Sequence, residues 1–62
     1  MRERYYLVNK EKMYIALDAA NHNWYFSVNE EEAFLFGSKI TADEVRKELG
    51  IKGFRITVYK RK

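Results

Sequence analysis

The chain has 62 residues, a net charge of +3 and no cysteine. That length leaves room for one domain, residues 1–62, which buries a smaller share of its surface than a large domain does and is marginally stable as a result. The missing cysteine removes disulfides, thiolate catalysis and cysteine-type zinc sites together, so apolar packing must carry the fold.

Apolar residues make up 47% of the chain, and ten aromatics (Trp24, five Tyr, four Phe) supply much of that, which is enough for a small core. High aromatic content with both charge signs interspersed argues against disorder. No apolar run approaches the roughly 20 residues that cross a bilayer, so no membrane partner is expected. The apolar stretch Tyr5–Val8 behind the charged N-terminus is too short for a signal-peptide core, and the expected location is cytoplasmic. Charge is uneven along the chain: residues 29–48 are net acidic, whereas Lys52, Arg55, Lys60, Arg61 and Lys62 leave the C-terminal end basic with no acid after Glu48. Lys60, Arg61 and Lys62 form a basic tail, read either as a strand end kept from aggregating or as a phosphate contact.

Taken in chain order, four stretches alternate with period two and read as strands: Arg4 to Asn9, Met13 to Asp18, Asn23 to Val28 and Phe54 to Lys60. The short polar link Asn9–Lys12 makes the first two a hairpin, and Ala20–Asn23 is a turn in which Asn tolerates left-handed backbone. Asn29 to Gly37 is open between two readings. Asn29 with Glu32 spells a capping box and Gly37 a stop, which favours a short helical turn, yet Ala33-Phe34-Leu35-Phe36 is a run that suits a buried strand equally. The clearest helix is expected to start at Thr41, where Thr41-Ala42-Asp43-Glu44 also spells a capping box. Asp43 and Lys47 form an i,i+4 pair, Gly50 supplies the left-handed stop, and Ile51 packs back on the last turn. The fold class is α+β, an antiparallel sheet of about four strands with one helix on one face, in the order strand, strand, strand, helical turn, helix, strand.

Parity sorts the strands into two faces. Leu7, Met13, Ile15, Leu17, Trp24, Phe26, Val28, Phe54, Ile56 and Val58 share one, which the helix should cover through Val45 and Leu49. Tyr6, Val8, Tyr14, Ala16, Asp18, Tyr25, Ser27, Arg55, Thr57 and Tyr59 share the other. One helix covers one face, so the second is expected to stay open with four tyrosines and an arginine on it. Tyrosine is a good strand former on any solvated face. It is also a residue of surfaces that are wet when free and dry when bound. Tyr6, Tyr14, Tyr25, Arg55 and Tyr59 are therefore the candidate partner-binding residues. The expected partner is a protein, with unpaired bases stacked on the rings as the alternative and a homodimer through the same face as a third reading.

Catalysis has little to stand on. His22 is the lone histidine, placed in a turn between two asparagines, and one His with one carboxylate is a poor metal site. Ser27 and Ser38 have no recognisable base. Glu30, Glu31 and Glu32 read as a charged first turn, and neither Gly37 nor Gly50-Ile51-Lys52-Gly53 has phosphate-loop spacing. A chain this size is also expected to lack a pocket of ~300 Å³ or more. No catalytic residue, metal or cofactor is expected.

The layout resembles small accessory proteins of bacteriophages and other mobile elements, in Tyr6-Leu7-Val8-Asn9, Trp24, Glu32-Ala33-Phe34-Leu35-Phe36, Ala42-Asp43-Glu44-Val45 and a final strand. The resemblance implies a non-enzymatic inhibitor that binds a host protein, a defence nuclease among the possibilities. Inhibitors of this kind that imitate DNA are strongly acidic, and a basic chain departs from them.

Overall fold

The computed structural model describes residues 3–60. Arg61 and Lys62 of the basic tail lie outside that range, and Lys60 is exposed at its end. Strands β1 (Arg4–Val8), β2 (Tyr14–Asp18) and β3 (Asn23–Ser27) precede a single 3-10 turn, Glu30–Glu32; helix α1 (Lys39–Leu49) and strand β4 (Arg55–Tyr59) follow. The strands form one antiparallel sheet in the order β3-β2-β1-β4. No helix is long and apolar enough to cross a membrane among the described residues.

Both tight connections are built on an Asx side chain and a left-handed residue. In the first, the Asn9 side chain accepts from the Met13 N–H at 2.8 Å and Lys12 takes φ 62°. In the second, Asp18 accepts from the backbone of Ala20 and the side chain of Asn21, and His22 takes φ 55°. The asparagine side-chain bond is the chief reason that the Asp18 carboxyl lies below its ordinary pKa. The left-handed residue of this turn is thus His22 and not one of the flanking asparagines. These side chains fix the hairpin register by replacing backbone bonds that the turn cannot make.

The segment 29–37 combines both readings and adds a crossing that neither contained. Glu30–Glu32 form the 3-10 turn, but Asn29 makes no side-chain cap. Glu32 instead accepts from the Ser27 hydroxyl, and the Asn29 N–H donates to that same Ser27 oxygen at 3.1 Å. The turn therefore sits on the tyrosine side of the sheet. β1 and β2 pair at Val8 and Tyr14 only, then splay apart. The chain enters that gap: the Phe34 N–H donates to the Ile15 C=O at 3.0 Å, and Tyr5 and Phe36 exchange both backbone bonds at 2.7 and 3.0 Å. It emerges on the other side, where α1 begins. The Tyr5 N–H and C=O and the Ile15 C=O, released by the splay, are thereby met from the inserted segment.

The helix starts earlier than its sequence suggests. Ser38 is the N-cap and its hydroxyl accepts from the Thr41 N–H at 3.2 Å, so Thr41 lies inside the first turn. Gly50 ends the helix at φ 65°, and the Ile51 N–H reaches back to the Arg46 C=O. Asp43 pairs with Lys47 at 3.2 Å and also with Arg46, which holds its carboxyl below the usual range. Arg46 in turn donates to the Phe54 C=O at 3.2 Å and ties α1 to the start of β4. Ser38→Ala is expected to cost about 1 kcal/mol, and Thr41→Ala clearly less. On a domain this small the first loss is a thermal shift of several degrees, and equal shifts would contradict the assigned cap.

The core lies between α1 and the sheet: Leu7, Ile15, Phe36, Ala42 and Phe54 are buried together, with Tyr5, Trp24, Phe34, Val45, Leu49, Ile51 and Ile56 packed around them. Parity assigned the two faces correctly, but not the depth of burial. Helix α1 lies over β1 and β4. Phe26, on the outer strand β3, and Val28, just after it, are 53% and 72% exposed. Phe26 keeps one stacked contact, with Phe54 at 5.7 Å, and is not a core residue.

Candidate interaction surface

The sheet order sets where the tyrosines stand. Tyr59, Tyr6 and Tyr14 come from β4, β1 and β2, three adjacent strands, and point to the face away from α1. Their rings form a continuous row: Tyr6 meets Tyr14 at 5.4 Å and Tyr59 at 6.4 Å, both edge to face. That geometry sets the positive ring edge against a negative ring face and holds the row in one arrangement. All three rings are half-buried. Arg55 is exposed on β4 and lines up with Val8 and then Tyr14 across the strands, so Val8 floors the surface between the arginine and the row.

Tyr25 stands apart. It is on the same face and 41% exposed, but its ring joins none of these pairs. Its cross-strand partner Ala16 is fully buried, and Ser27 beside it is bound to Glu32 beneath the 3-10 turn. Four of the five expected residues therefore form one patch, and the fifth lies toward the opposite edge.

The 3-10 turn contributes a residue that the sequence pattern concealed. Tyr6 donates its hydroxyl to a Glu30 carboxylate oxygen at 3.2 Å. Glu30 had read as part of a charged helical turn, and only the folding of that turn onto the sheet brings it here. Burial raises the Tyr6 phenol above its ordinary pKa, and the bond to Glu30 raises it further, so the phenol is a neutral donor through the physiological range. The surface is thus a mixed one: apolar rings, one guanidinium and at least one carboxylate.

Among the described residues, two depressions lie away from the tyrosine row. One of about 260 Å³ runs along β3 toward the helix C-terminus, lined by Ile15, Trp24, Tyr25, Phe26, Leu49 and Ile51. Another, shallow and open, of about 400 Å³, lies at the helix C-terminus among Arg46, Lys47, Ile51 and Lys52. The second exceeds the volume expected of so short a chain, although it is a surface dip and not an enclosed pocket. His22 is exposed in its turn, and among the described residues no three His, Asp or Glu side chains converge as metal ligands do.

No family model, curated protein or solved structure matches the chain.

Proposed function

We propose that the chain is a non-enzymatic protein-binding module and that the row Tyr59–Tyr6–Tyr14, with Arg55, is the surface it presents. One observation carries this reading: Glu30 lies within the row, bonded to Tyr6. A carboxylate among the rings repels a phosphate backbone but suits a protein surface, where charges of both signs find partners. Aromatic rings already ordered by edge-to-face packing lose little entropy when a partner covers them, and tyrosine with arginine dominates binding energy at protein interfaces. In the setting suggested by the phage resemblance, the partner is a host protein and binding obstructs it.

The alternative is a single-stranded nucleic acid lying along the same rings, favoured by the exposed basic residues Arg55 on β4 and Lys60 just after it. Fluorescence anisotropy with a short single strand, repeated as salt is raised, separates the two. An interface with three phosphate contacts loses roughly tenfold or more in affinity over a fourfold rise in salt. The protein-binding reading expects no measurable strand binding even at low salt. Micromolar, salt-sensitive strand binding would overturn it.

A further inference from the structure

The outer edge of β3 differs from every other edge in the molecule. The Ile15 C=O accepts from Phe34 on the side of β2 away from β3. A strand residue sends its N–H and C=O to the same side, so Ile15 and its partner Phe26 exchange no hydrogen bonds. Alternation settles the remainder: Tyr14 with Ser27 and Ala16 with Tyr25 are the bonded pairs, and the N–H and C=O of Trp24 and of Phe26 point outward from the sheet. Four backbone groups are thus presented in a row.

Proteins usually blunt such an edge with charge. The far edge, β4, carries Arg55 and is flanked by Lys52 before it and Lys60 after it, whereas Asn23 to Val28 contains no charged residue. Phe26 and Val28 are also more than half exposed along it, beside the 260 Å³ apolar groove.

We propose that β3 pairs antiparallel with β3 of a second copy, about a two-fold axis through Tyr25. In that register Trp24 lies opposite Phe26 of the partner subunit, and Phe26 opposite the partner subunit's Trp24. These are bonded pairs, so all four outward groups of each copy are satisfied. Asn23 falls opposite Ser27 of the partner subunit, and Tyr25 meets its own counterpart in a non-bonded pair. Polar residues face polar ones, aromatics face aromatics and no like charges meet. This self-complementarity about the strand's own centre selects a second copy over an unrelated segment. The axis is normal to the sheet, so the two sheets join into one of eight strands and both tyrosine rows face the same way. Association through this edge makes the surface proposed above bivalent.

Sedimentation of the wild-type chain from about 10 µM to about 0.5 mM spans the affinities expected of one strand pair and should show a concentration-dependent dimer. Tyr25→Lys sets two ammonium groups against each other at the axis and should raise the dimer dissociation constant at least about tenfold, with the circular dichroism spectrum unchanged. A second test does not rely on that variant. In a non-bonded pair the Cα atoms stand about 4.5 Å apart, within disulfide range. The chain has no cysteine of its own. Tyr25→Cys should therefore oxidise readily to a covalent dimer, while Glu44→Cys, an exposed thiol on α1, should not. A wild-type chain that stays monomeric throughout, a dimer indifferent to Tyr25→Lys, or equal cross-linking of the two cysteine variants would each overturn the proposal.

Discussion

Phe36→Ala is expected to unfold much of the population. The Phe36 ring is almost fully buried, stacked on Trp24 at 6.0 Å and edge-on to Phe34 at 4.9 Å, among Leu7, Ile15, Ala42 and Phe54. Truncating a buried phenylalanine costs about 3–5 kcal/mol, because the rigid surroundings only partly refill the space. A chain of this length has a total stability of roughly 3–9 kcal/mol, so the loss is comparable with the whole. The ring also stands beside the backbone bonds that seat the crossing segment on Tyr5, and its removal loosens the segment that enters the splay. Phe26→Ala should behave very differently. More than half of that ring is in water, and losing its stack on Phe54 should cost about 1 kcal/mol or less. Urea unfolding of both variants checks the contrast; equal losses would mean that the core does not lie between α1 and the inner strands.

A second large effect is expected on binding. Tyr14→Ser combined with Arg55→Ser should weaken affinity for a partner by about 2 kcal/mol, roughly 30-fold, while the fold stays cooperative. Both side chains lie outside the buried cluster, and neither makes a hydrogen bond that the rest of the described chain depends on. Tyr6 is a poorer choice for this test, since its hydroxyl anchors the 3-10 turn through Glu30 and its loss would confuse stability with binding. Titration calorimetry with a purified partner gives the affinity directly, and an unchanged value would remove the row from the interface.

The strands were legible because their periodicity is a local property: alternation of Phe54, Ile56 and Val58 with Arg55, Thr57 and Tyr59 needs no knowledge of the rest of the chain. The helix end was legible for the same reason, since Gly50 is one of the few residues at ease at φ 65°. The helix start was not. Ser38-Lys39-Ile40-Thr41 and Thr41-Ala42-Asp43-Glu44 offer competing caps three residues apart, and the earlier one prevails in the fold. Phe26 had the right parity, yet whether a helix shields an outer strand depends on where that helix lies, a tertiary matter. The passage of residues 33–36 through the sheet is likewise invisible in local pattern. It requires that β1 and β2 splay, and the same splay carries Glu30 onto the tyrosine face. The parity of the candidate surface could therefore be read in advance, but its acidic member and the separation of Tyr25 could not.

The most direct test follows the backbone amide resonances of the isotopically labelled chain as an unlabelled protein partner is added. If the tyrosine face is the binding surface, the largest shift changes fall on Tyr6, Val8, Tyr14, Glu30, Arg55 and Tyr59, from three strands and the turn, with the outer residues of α1 nearly still. Largest changes instead at Glu44, Lys47 and Glu48, the exposed side of the helix, would contradict the account.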